Sequence, residues 1–308
     1  MKYIKRHAEA TVNTLSEMFG AILVAGPRQV GKTTMLQRIT EGMNYATLDD
    51  LIVRAAAQEQ SGTFFKDNPP PVFVDEIQKA PELFSQIKML IDREHKKGQF
   101  FMCGSQQFQM MKGVSESLSG RIGLVTLLGF SLRERYGVSN DTPFLPTDAY
   151  FDERKKQLAN IPYEEVWKII HRGSMPELCE NPNFDWQMFY GAYVRTYIER
   201  DVRDLSEIGD AVKFTRFMTA AAASTGQLVN LASMARDVGI SQPNGGTMAF
   251  DSCSLQHCLS AEAIRNQHYQ ACSKDSKAVF LGYRAGGLPY PVEYAGCFEK
   301  RRYGRCFL

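Results

Sequence analysis

A phosphate-binding pattern lies near the start of the chain. The segment GPRQVGKTT fits GxxxxGK[ST] in full and follows a short apolar run, Ala21-Ile22-Leu23-Val24-Ala25. Its two glycines allow the backbone to wrap a phosphate closely, and the helix that follows offers its positive end to the anion. Lys32 is expected to contact the β- and γ-phosphates, and Thr33 to bind Mg²⁺ through its hydroxyl. The alternative is a tight turn that contains a chance lysine. The predicted nucleotide-binding residues are Gly26, Pro27, Arg28, Gln29, Val30, Gly31, Lys32, Thr33 and Thr34.

Two adjacent acids follow a second apolar run. Val72-Phe73-Val74 is typical of a buried strand, and Asp75 and Glu76 come directly after it. A carboxylate at the tip of a strand beside the phosphate loop suits Mg²⁺, and a second one can polarise the attacking water. Asp75 is therefore the predicted metal residue and Glu76 the predicted general base. The alternative is that both acids cap the helix that starts near Pro81.

A third strand, Gln99 to Cys103, leads into Gly104-Ser105-Gln106-Gln107. A polar side chain at this tip can sense the γ-phosphate or orient water, so Ser105 is the first candidate and Gln106 the second. Cys103 is interpreted as a buried apolar residue rather than a nucleophile, because the sequence offers it no activating partner.

Five apolar strands alternate with helix-forming segments over the first 130 residues. This alternation predicts an α/β fold with a parallel sheet and helices on both of its faces. A stripe at helical spacing, which we assign to the core, marks one of those helices. The five predicted strands are 21–25, 45–48, 72–74, 99–103 and 123–128, and the stripe is Leu83, Phe84, Ile87, Leu90 and Ile91.

The three motifs, in the forms GPRQVGKTT, VFVDEIQKAPELF and FMCGSQQFQMMKGVSESLSGR, together resemble a bacterial and archaeal group of AAA+-type P-loop ATPases. These carry a C-terminal domain of unknown function, to which residues 193–203 and the segment LASMARDVGISQP are similar. The resemblance implies ATP binding and hydrolysis, a RecA-like core and a helical, winged-helix region, but no agreed substrate. By analogy with related ATPases, a ring or dimer of chains is expected.

The resemblance divides the chain into four predicted parts. These are an ATPase core (1–135), a helical lid or connector (136–205), a partial winged helix-turn-helix (206–243) and an aberrant tail (244–308). By the same resemblance Arg121 is either an arginine finger or sensor, which a neighbouring subunit can supply, or an ordinary surface arginine.

A helix-turn-helix pattern spans residues 228–241, after a long helix predicted from Trp186 to Leu205. Asn230 is expected to cap the first helix of the pattern, Gly239 to make the turn and Ser241 to cap the second helix. Either DNA or a partner protein would be its target. Because residues 241–250 contain no basic residue, packing or protein contact is favoured over DNA recognition.

After Pro243 the helical and strand periods stop. The tail holds five of the seven cysteines, with eight basic and five acidic residues. One interpretation is a disordered tail, although aromatic and cysteine residues are too frequent for that class. The other is a shifted reading frame, since a one-base shift in permitted codons of residues 253–260 yields VASNIVYL, similar to the appended domain. Zinc binding by His257 and Cys258 is disfavoured because no CxxC spacing exists.

The composition is that of a folded protein, with 44% hydrophobic and 23% charged residues and a net charge of +2. The sequence has no apolar stretch long enough to span a membrane and no secretory signal, so no membrane partner and a cytoplasmic location are expected. The predicted function is Mg²⁺-dependent ATP hydrolysis coupled to the C-terminal part. The alternatives are a nucleotide-controlled binding module with little turnover, and a frameshifted product with impaired function.

Overall fold

The computed structural model describes residues 3–105, 117–138, 145–157, 161–198, 211–223, 230–241, 258–260 and 278–280. Its centre is a five-stranded sheet in which all strands are parallel and the spatial order is β2-β3-β4-β1-β5. The strands are β1 (Ala21–Ala25), β2 (Asn44–Thr47), β3 (Val72–Asp75), β4 (Phe100–Gly104) and β5 (Ile122–Thr126).

Burial follows the position of each strand in the sheet. The three inner strands β1, β3 and β4 are buried at every residue, as their unbroken apolar sequences predict. The edge strands β2 and β5 each expose part of their length, including Tyr45 and Leu124. The strand that leads into the phosphate loop therefore lies inside the sheet, where its carboxyl end is fixed by neighbours on both sides.

Helices cover both faces of the sheet, which confirms the predicted α/β class. On one face α1 and α2 pack through Val12, Met35 and Leu36, and on the other α3, α4 and α5 pack through residues such as Ala57 and Phe84. The helices of this part are α1 (Ala8–Met18), α2 (Lys32–Ile39), α3 (Leu51–Glu59), α4 (Ser61–Asp67), a 3-10 turn (Ile77–Lys79), α5 (Leu83–Glu94) and α6 (Leu132–Tyr136).

The remainder of the described chain is mainly helical. Tyr190, Phe214, Phe217 and Met234 from these helices belong to the same apolar cluster as the α1 and α2 face of the sheet. The helical part and the sheet thus share one core. Its elements are α7 (Asp148–Gln157), α8 (Tyr163–Arg172), α9 (Pro176–Glu180), α10 (Trp186–Tyr193), a π-helical turn (Val194–Ile198), α11 (Ala211–Ala223) and α12 (Leu231–Val238).

The long helix predicted from Trp186 to Leu205 differs in the structure. The α-helix ends at Tyr193 and passes into a π-helical turn, and residues 199–205 lie outside the described residues. The Thr196 hydroxyl donates to the Ala192 carbonyl at 2.8 Å. Such a bond competes with the regular backbone ladder and often bends a helix, which is a physical reason for the loss of regular α-helix here.

The first half of the helix-turn-helix pattern is confirmed. The Asn230 side chain accepts a hydrogen bond from the Ser233 amide at 3.0 Å, and Gly239 ends α12 with φ of 76°. The second helix lies outside the described residues. In the tail the structure describes an antiparallel pair of three-residue strands, β6 (Cys258–Ser260) and β7 (Ala278–Phe280), so the predicted disorder of residues 244–308 stays a prediction. Among the described residues, no helix is long and apolar enough to cross a membrane.

Candidate nucleotide and magnesium site

The phosphate loop joins the carboxyl end of β1 to the first residue of α2. A Cβ on Gly26 would lie 2.1 Å from the Leu127 carbonyl oxygen, so only glycine fits at that position. Gln29 and Gly31 have φ of 61° and 88°, and the positive φ at Gly31 explains why glycine is needed there. The loop therefore turns tightly and ends at the amino terminus of α2, the arrangement that binds a phosphate group.

Lys32 lies inside the loop that it follows. Its ammonium donates to the carbonyl oxygens of Gly26 at 2.9 Å and Pro27 at 2.7 Å, and its side chain is buried. Burial lowers the pKa of Lys32, while the charges of Glu76 and Asp75 act in the opposite direction. A buried cation whose hydrogen bonds among the described residues go to two neutral carbonyls is well suited to a polyanion, because phosphate oxygens would supply negative charge.

Asp75 and Thr33 meet across the site. The Thr33 hydroxyl donates to the two carboxylate oxygens of Asp75 at 3.0 and 3.2 Å, and the Tyr45 hydroxyl donates to Asp75 at 3.3 Å. The carboxylate is almost fully buried. A hydroxyl and a carboxylate side by side are the oxygen ligands that Mg²⁺ prefers beside substrate phosphates, so this pair fits the ion that the sequence predicts.

Glu76 and Ser105 occupy the same edge of the sheet. Glu76 follows β3 with φ of 57°, and its amide donates to Asp75 Oδ1 at 3.0 Å. Ser105 follows β4 and is buried. The Gln78 amide nitrogen lies between them and donates to the Glu76 carboxylate and, at 3.5 Å, to the Ser105 hydroxyl. The structure thus places the predicted acid and the predicted polar tip together, whereas Gln106 lies outside the described residues.

The sequence of this region matches a known protein family. Residues 19–136 match the family described as AAA domain, and they contain the phosphate loop, the five strands and the acids. Residues 19–136 are an AAA domain. Residues 163–246 match a second family, described as a domain of unknown function (DUF8612). The predicted AAA-type domain followed by a domain of unknown function is confirmed, while ATP hydrolysis and the winged helix stay predictions.

Two curated relatives are uncharacterized proteins, one of Mycobacterium bovis and one of Mycobacterium tuberculosis. Each is 26% identical to the chain over 239 residues, which are 77% of this chain and 48% of the relative. The chain therefore spans about half the length of these relatives.

Solved structures with a related arrangement include AMPPCP-bound DnaA from Aquifex aeolicus and RuvB of Thermotoga maritima. DnaA has 15% identity and a TM-score of 0.35, and the match covers 84% of this chain and 87% of that chain. RuvB has 14% identity and a TM-score of 0.33, with 86% and 92% covered. Because these likenesses are distant, the fold assignment depends on the sheet topology and the family match.

Cys103 is an unexpected partner of Asp75 and Thr33, the predicted magnesium residues of the AAA domain. It is fully buried, as the sequence predicts, but its thiol donates to Asp75 and lies 3.8 Å from the Thr33 hydroxyl. Burial raises the pKa of the Cys103 thiol well above its usual range, and the charge of Asp75 raises it further. The thiol therefore keeps its proton and acts as a hydrogen-bond donor to Asp75, not as a nucleophile.

Arg121 lies at the opposite edge of the AAA domain's sheet. It precedes β5, its carbonyl accepts the Ala21 amide at 3.2 Å, and its guanidinium pairs with Asp92 at the end of α5. The five residues of β5 separate Arg121 from the phosphate loop by about 17 Å at the usual strand rise. This position favours the ordinary surface arginine over a sensor for its own chain's nucleotide, and the finger or sensor role of Arg121 stays a prediction.

A buried ion pair between Arg6 and Glu134, next to the phosphate loop, was not predicted from the sequence. Arg6 donates to Glu134 at 3.0 Å, to the Val30 carbonyl of the loop at 2.7 Å and to the Leu128 carbonyl at 2.6 Å. Both side chains of the pair are about 95% buried. The sequence marks Glu134 through the spacing Ser131-x-x-Glu134, which forms a capping box on α6, but it contains no signal for a partner 128 residues earlier.

The helical region also contacts the phosphate loop directly. The Tyr193 hydroxyl at the end of α10 donates to the Arg28 carbonyl at 3.3 Å. The Phe130 amide, just beyond β5, donates to the Ser174 carbonyl at 2.7 Å. Two hydrogen bonds thus link the AAA domain to the region that matches the domain of unknown function. For Arg28 the structure shows its backbone in this contact, and phosphate contact by its side chain stays a prediction.

Proposed function

We propose that the chain binds ATP with Mg²⁺ at the phosphate loop, hydrolyses it, and transmits the change to its C-terminal helices. The observation that carries this proposal is the buried Lys32 beside the Thr33–Asp75 pair, at one edge of the sheet. A cation for the phosphates and two oxygen ligands for Mg²⁺ lie close together there, and phosphoryl transfer needs both. Mg²⁺, when bound, neutralises charge that develops on the phosphate oxygens.

The protein's own groups bind and orient the triphosphate. Lys32 exchanges its carbonyl partners for phosphate oxygens, and the amides at the start of α2 donate to the same anion. Thr33 and Asp75 hold the ion, and Cys103 and Tyr45 hold Asp75 in place through their hydrogen bonds. In this arrangement the side chains are fixed before the substrate arrives, so little reorganisation is needed during the reaction.

Glu76 is the proposed general base. It follows the metal residue directly, and it lies at the tip of the strand next to Ser105. A carboxylate at this position accepts a proton from the attacking water, while Ser105 is suited to contact the γ-phosphate or the water. Both assignments are proposals that the shared position of the two side chains supports.

One hydrogen bond on a loop carbonyl supports coupling to the C-terminal part, since the Tyr193 hydroxyl at the end of α10 donates to the Arg28 carbonyl. If the loop shifts when phosphate enters, Tyr193 is displaced with it. Arg6, which donates to the Val30 carbonyl, links the loop to Glu134 instead. The cargo of that movement and the self-association of the chain stay predictions.

The test is phosphate release from ATP by the full chain, with Glu76→Gln as the diagnostic variant. We expect wild-type turnover that requires Mg²⁺, and a loss of about 10²-fold or more in Glu76→Gln with ATP binding retained, because a general base contributes that much. Glu82→Gln, at an exposed glutamate before α5, serves as the matched control and should keep full turnover. Equal phosphate release by the wild type and Glu76→Gln would refute the assignment.

A second candidate is a nucleotide-controlled binding module for DNA or a partner protein. The capped helix α12 and its Gly239 turn favour it, since they match the first helix and the turn of the predicted helix-turn-helix pattern. Tight ATP binding without turnover in the wild type would support this alternative over hydrolysis. A frameshifted product with impaired function is tested separately, by resequencing the gene.

A further inference from the structure

Gln78 lies in the 3-10 turn that follows β3, the strand that ends at the proposed magnesium residue Asp75. The chain reverses at Glu76, whose φ of 57° is the left-handed region that non-glycine residues seldom adopt. This conformation is strained for a residue with a Cβ, so it persists only where the surroundings enforce it. The reversal brings the side chain of Gln78 back to the strand tips that it has just left.

The amide nitrogen of Gln78 connects the tips of β3 and β4. It donates to Glu76 Oε2 and, at 3.5 Å, to Ser105 Oγ. A primary amide has two N–H groups, so it can serve both acceptors at once. Gln78 is thereby the side chain that ties the proposed base to the polar residue at the next strand.

The carbonyl oxygen of the same amide receives no hydrogen bond from the described residues. Among the residues that the structure describes, the Gln78 carbonyl oxygen Oε1 is buried without a hydrogen-bond partner. Rotation of the amide would not relieve this, because it would place the carbonyl oxygen against the Glu76 carboxylate. An unsatisfied buried carbonyl is destabilising, and a water molecule inside the site would supply the missing donor.

We propose that Gln78 positions the attacking water together with Glu76, an inference that rests on the proposed ATPase function. One hydrogen of the water bonds to Glu76 and the other to Gln78 Oε1, which leaves an oxygen lone pair directed away from both. That lone pair forms the new bond to the γ-phosphorus, the bond to the leaving oxygen of ADP breaks, and the proton passes to Glu76.

The test compares kcat and KM for ATP in the wild type, Gln78→Ala and Gln78→Glu. We expect kcat to fall about tenfold to hundredfold in both variants while KM stays within about twofold, because the amide contacts water and base but not the nucleotide. Gln78→Glu keeps the shape of the side chain but puts an acceptor against Glu76. A fall of kcat in this variant would also exclude a packing role for Gln78, since glutamate fills the same space as glutamine.

Gln58→Ala is the matched control. Gln58 on α3 donates to the Lys79 carbonyl of the same 3-10 turn at 2.6 Å but contacts neither Glu76 nor Ser105. Full turnover in this variant would show that a lost bond to the turn is not enough to impair the reaction. ATP affinity by calorimetry confirms that each variant is folded.

Two outcomes distinguish a failure of the role of Gln78 from a failure of the proposed ATPase function. If the wild type hydrolyses ATP and Gln78→Glu turns over at the same rate, the role of Gln78 is refuted and the ATPase stands. If the wild type shows no Mg²⁺-dependent turnover, the ATPase proposal fails and the role of Gln78 fails with it.

Discussion

The two edges of the sheet hold their charged residues in opposite surroundings. At the carboxyl edge Lys32 and Asp75 are 6% and 5% exposed and each has two or more polar partners. At the amino edge Arg121 and Asp92 are 35% and 42% exposed and form an ion pair with each other. Burial of a charge is costly and exposed pairs contribute little. The difference therefore indicates that charge is retained for function at the carboxyl edge.

The largest effect is expected at Lys32. Lys32→Ala should weaken ATP binding about tenfold to hundredfold, because hydrogen bonds to charged groups are worth about 1.5–3 kcal/mol each. Lys79→Ala is the matched control, since Lys79 lies near the same edge but pairs with Asp49 in a more exposed position. Calorimetric titration of both variants checks this. A similar loss of ATP affinity in both variants would contradict the special role of the buried Lys32.

The second prediction compares a buried ion pair with an exposed one. Glu134→Gln should lower the free energy of unfolding by about 3–5 kcal/mol, because it leaves the buried Arg6 without its counter-charge. Asp92→Asn removes the equivalent carboxylate from the exposed Arg121 pair and should leave the unfolding midpoint in urea nearly unchanged. The comparison would be contradicted if both variants unfolded at the same urea concentration.

The effect at Glu134 should also depend on pH in a defined direction. Burial alone would raise the pKa of Glu134, but hydrogen bonds from the Ser131 and His7 amides and the charge of Arg6 outweigh it, and the pKa is lowered. A carboxyl with a lowered pKa stabilises the fold above its ordinary value of 4.5, and this stability is lost as the pH falls through the folded-state pKa. The stability gap between wild type and Glu134→Gln should therefore narrow below about pH 4.5. A gap that widens on acidification would contradict the assignment.

A smaller effect is expected at the contact between the loop and the helical region. Tyr193→Phe removes one hydrogen bond to the loop, worth about 0.5–1.5 kcal/mol, and should reduce the change that ATP causes in hydrogen exchange of α11. Tyr190→Phe is the control, because the Tyr190 hydroxyl donates at 3.3 Å to the Arg172 carbonyl instead of the loop. If the two variants respond to ATP in the same way, this contact does not transmit the signal.

The smallest effect is expected at Arg121. Arg121→Ala should leave the ATP affinity of the chain within about twofold, since the side chain lies at the far edge of the sheet. Were Arg121 to act on a neighbouring chain's nucleotide, its loss would instead reduce turnover at protein concentrations that favour association. Turnover per chain measured over a range of concentrations distinguishes the two. A large loss of ATP affinity in the variant would show that the two edges are not independent.

Most of the site could be predicted because its parts are local in the sequence. A strand, a glycine loop and a helix in immediate succession place Lys32 and Thr33, and the carboxyl ends of parallel strands bring Asp75 and Ser105 to the same edge. The position of Arg121 could have been predicted as well, because a residue that precedes a parallel strand lies at the amino edge of the sheet.

Other features could not be predicted because they depend on tertiary contact. The Arg6–Glu134 pair joins residues 128 positions apart, and neither has a pattern that names the other. Cys103 was expected to be apolar because its type and its strand suggest burial, yet its hydrogen bond to Asp75 depends on the register of β3 with β4. The position of Gln78 between Glu76 and Ser105 depends on the positive φ of Glu76, and glutamate has no preference for that conformation that the sequence would reveal.

Calorimetric titration of the full chain with ATP, with and without Mg²⁺, tests the central claim most directly. We predict one saturable site whose affinity rises with Mg²⁺, and loss of that rise in Thr33→Ala but not at its exposed neighbour in Thr34→Ala. The account would be contradicted by the absence of binding, or by a Mg²⁺ effect that persists unchanged in Thr33→Ala.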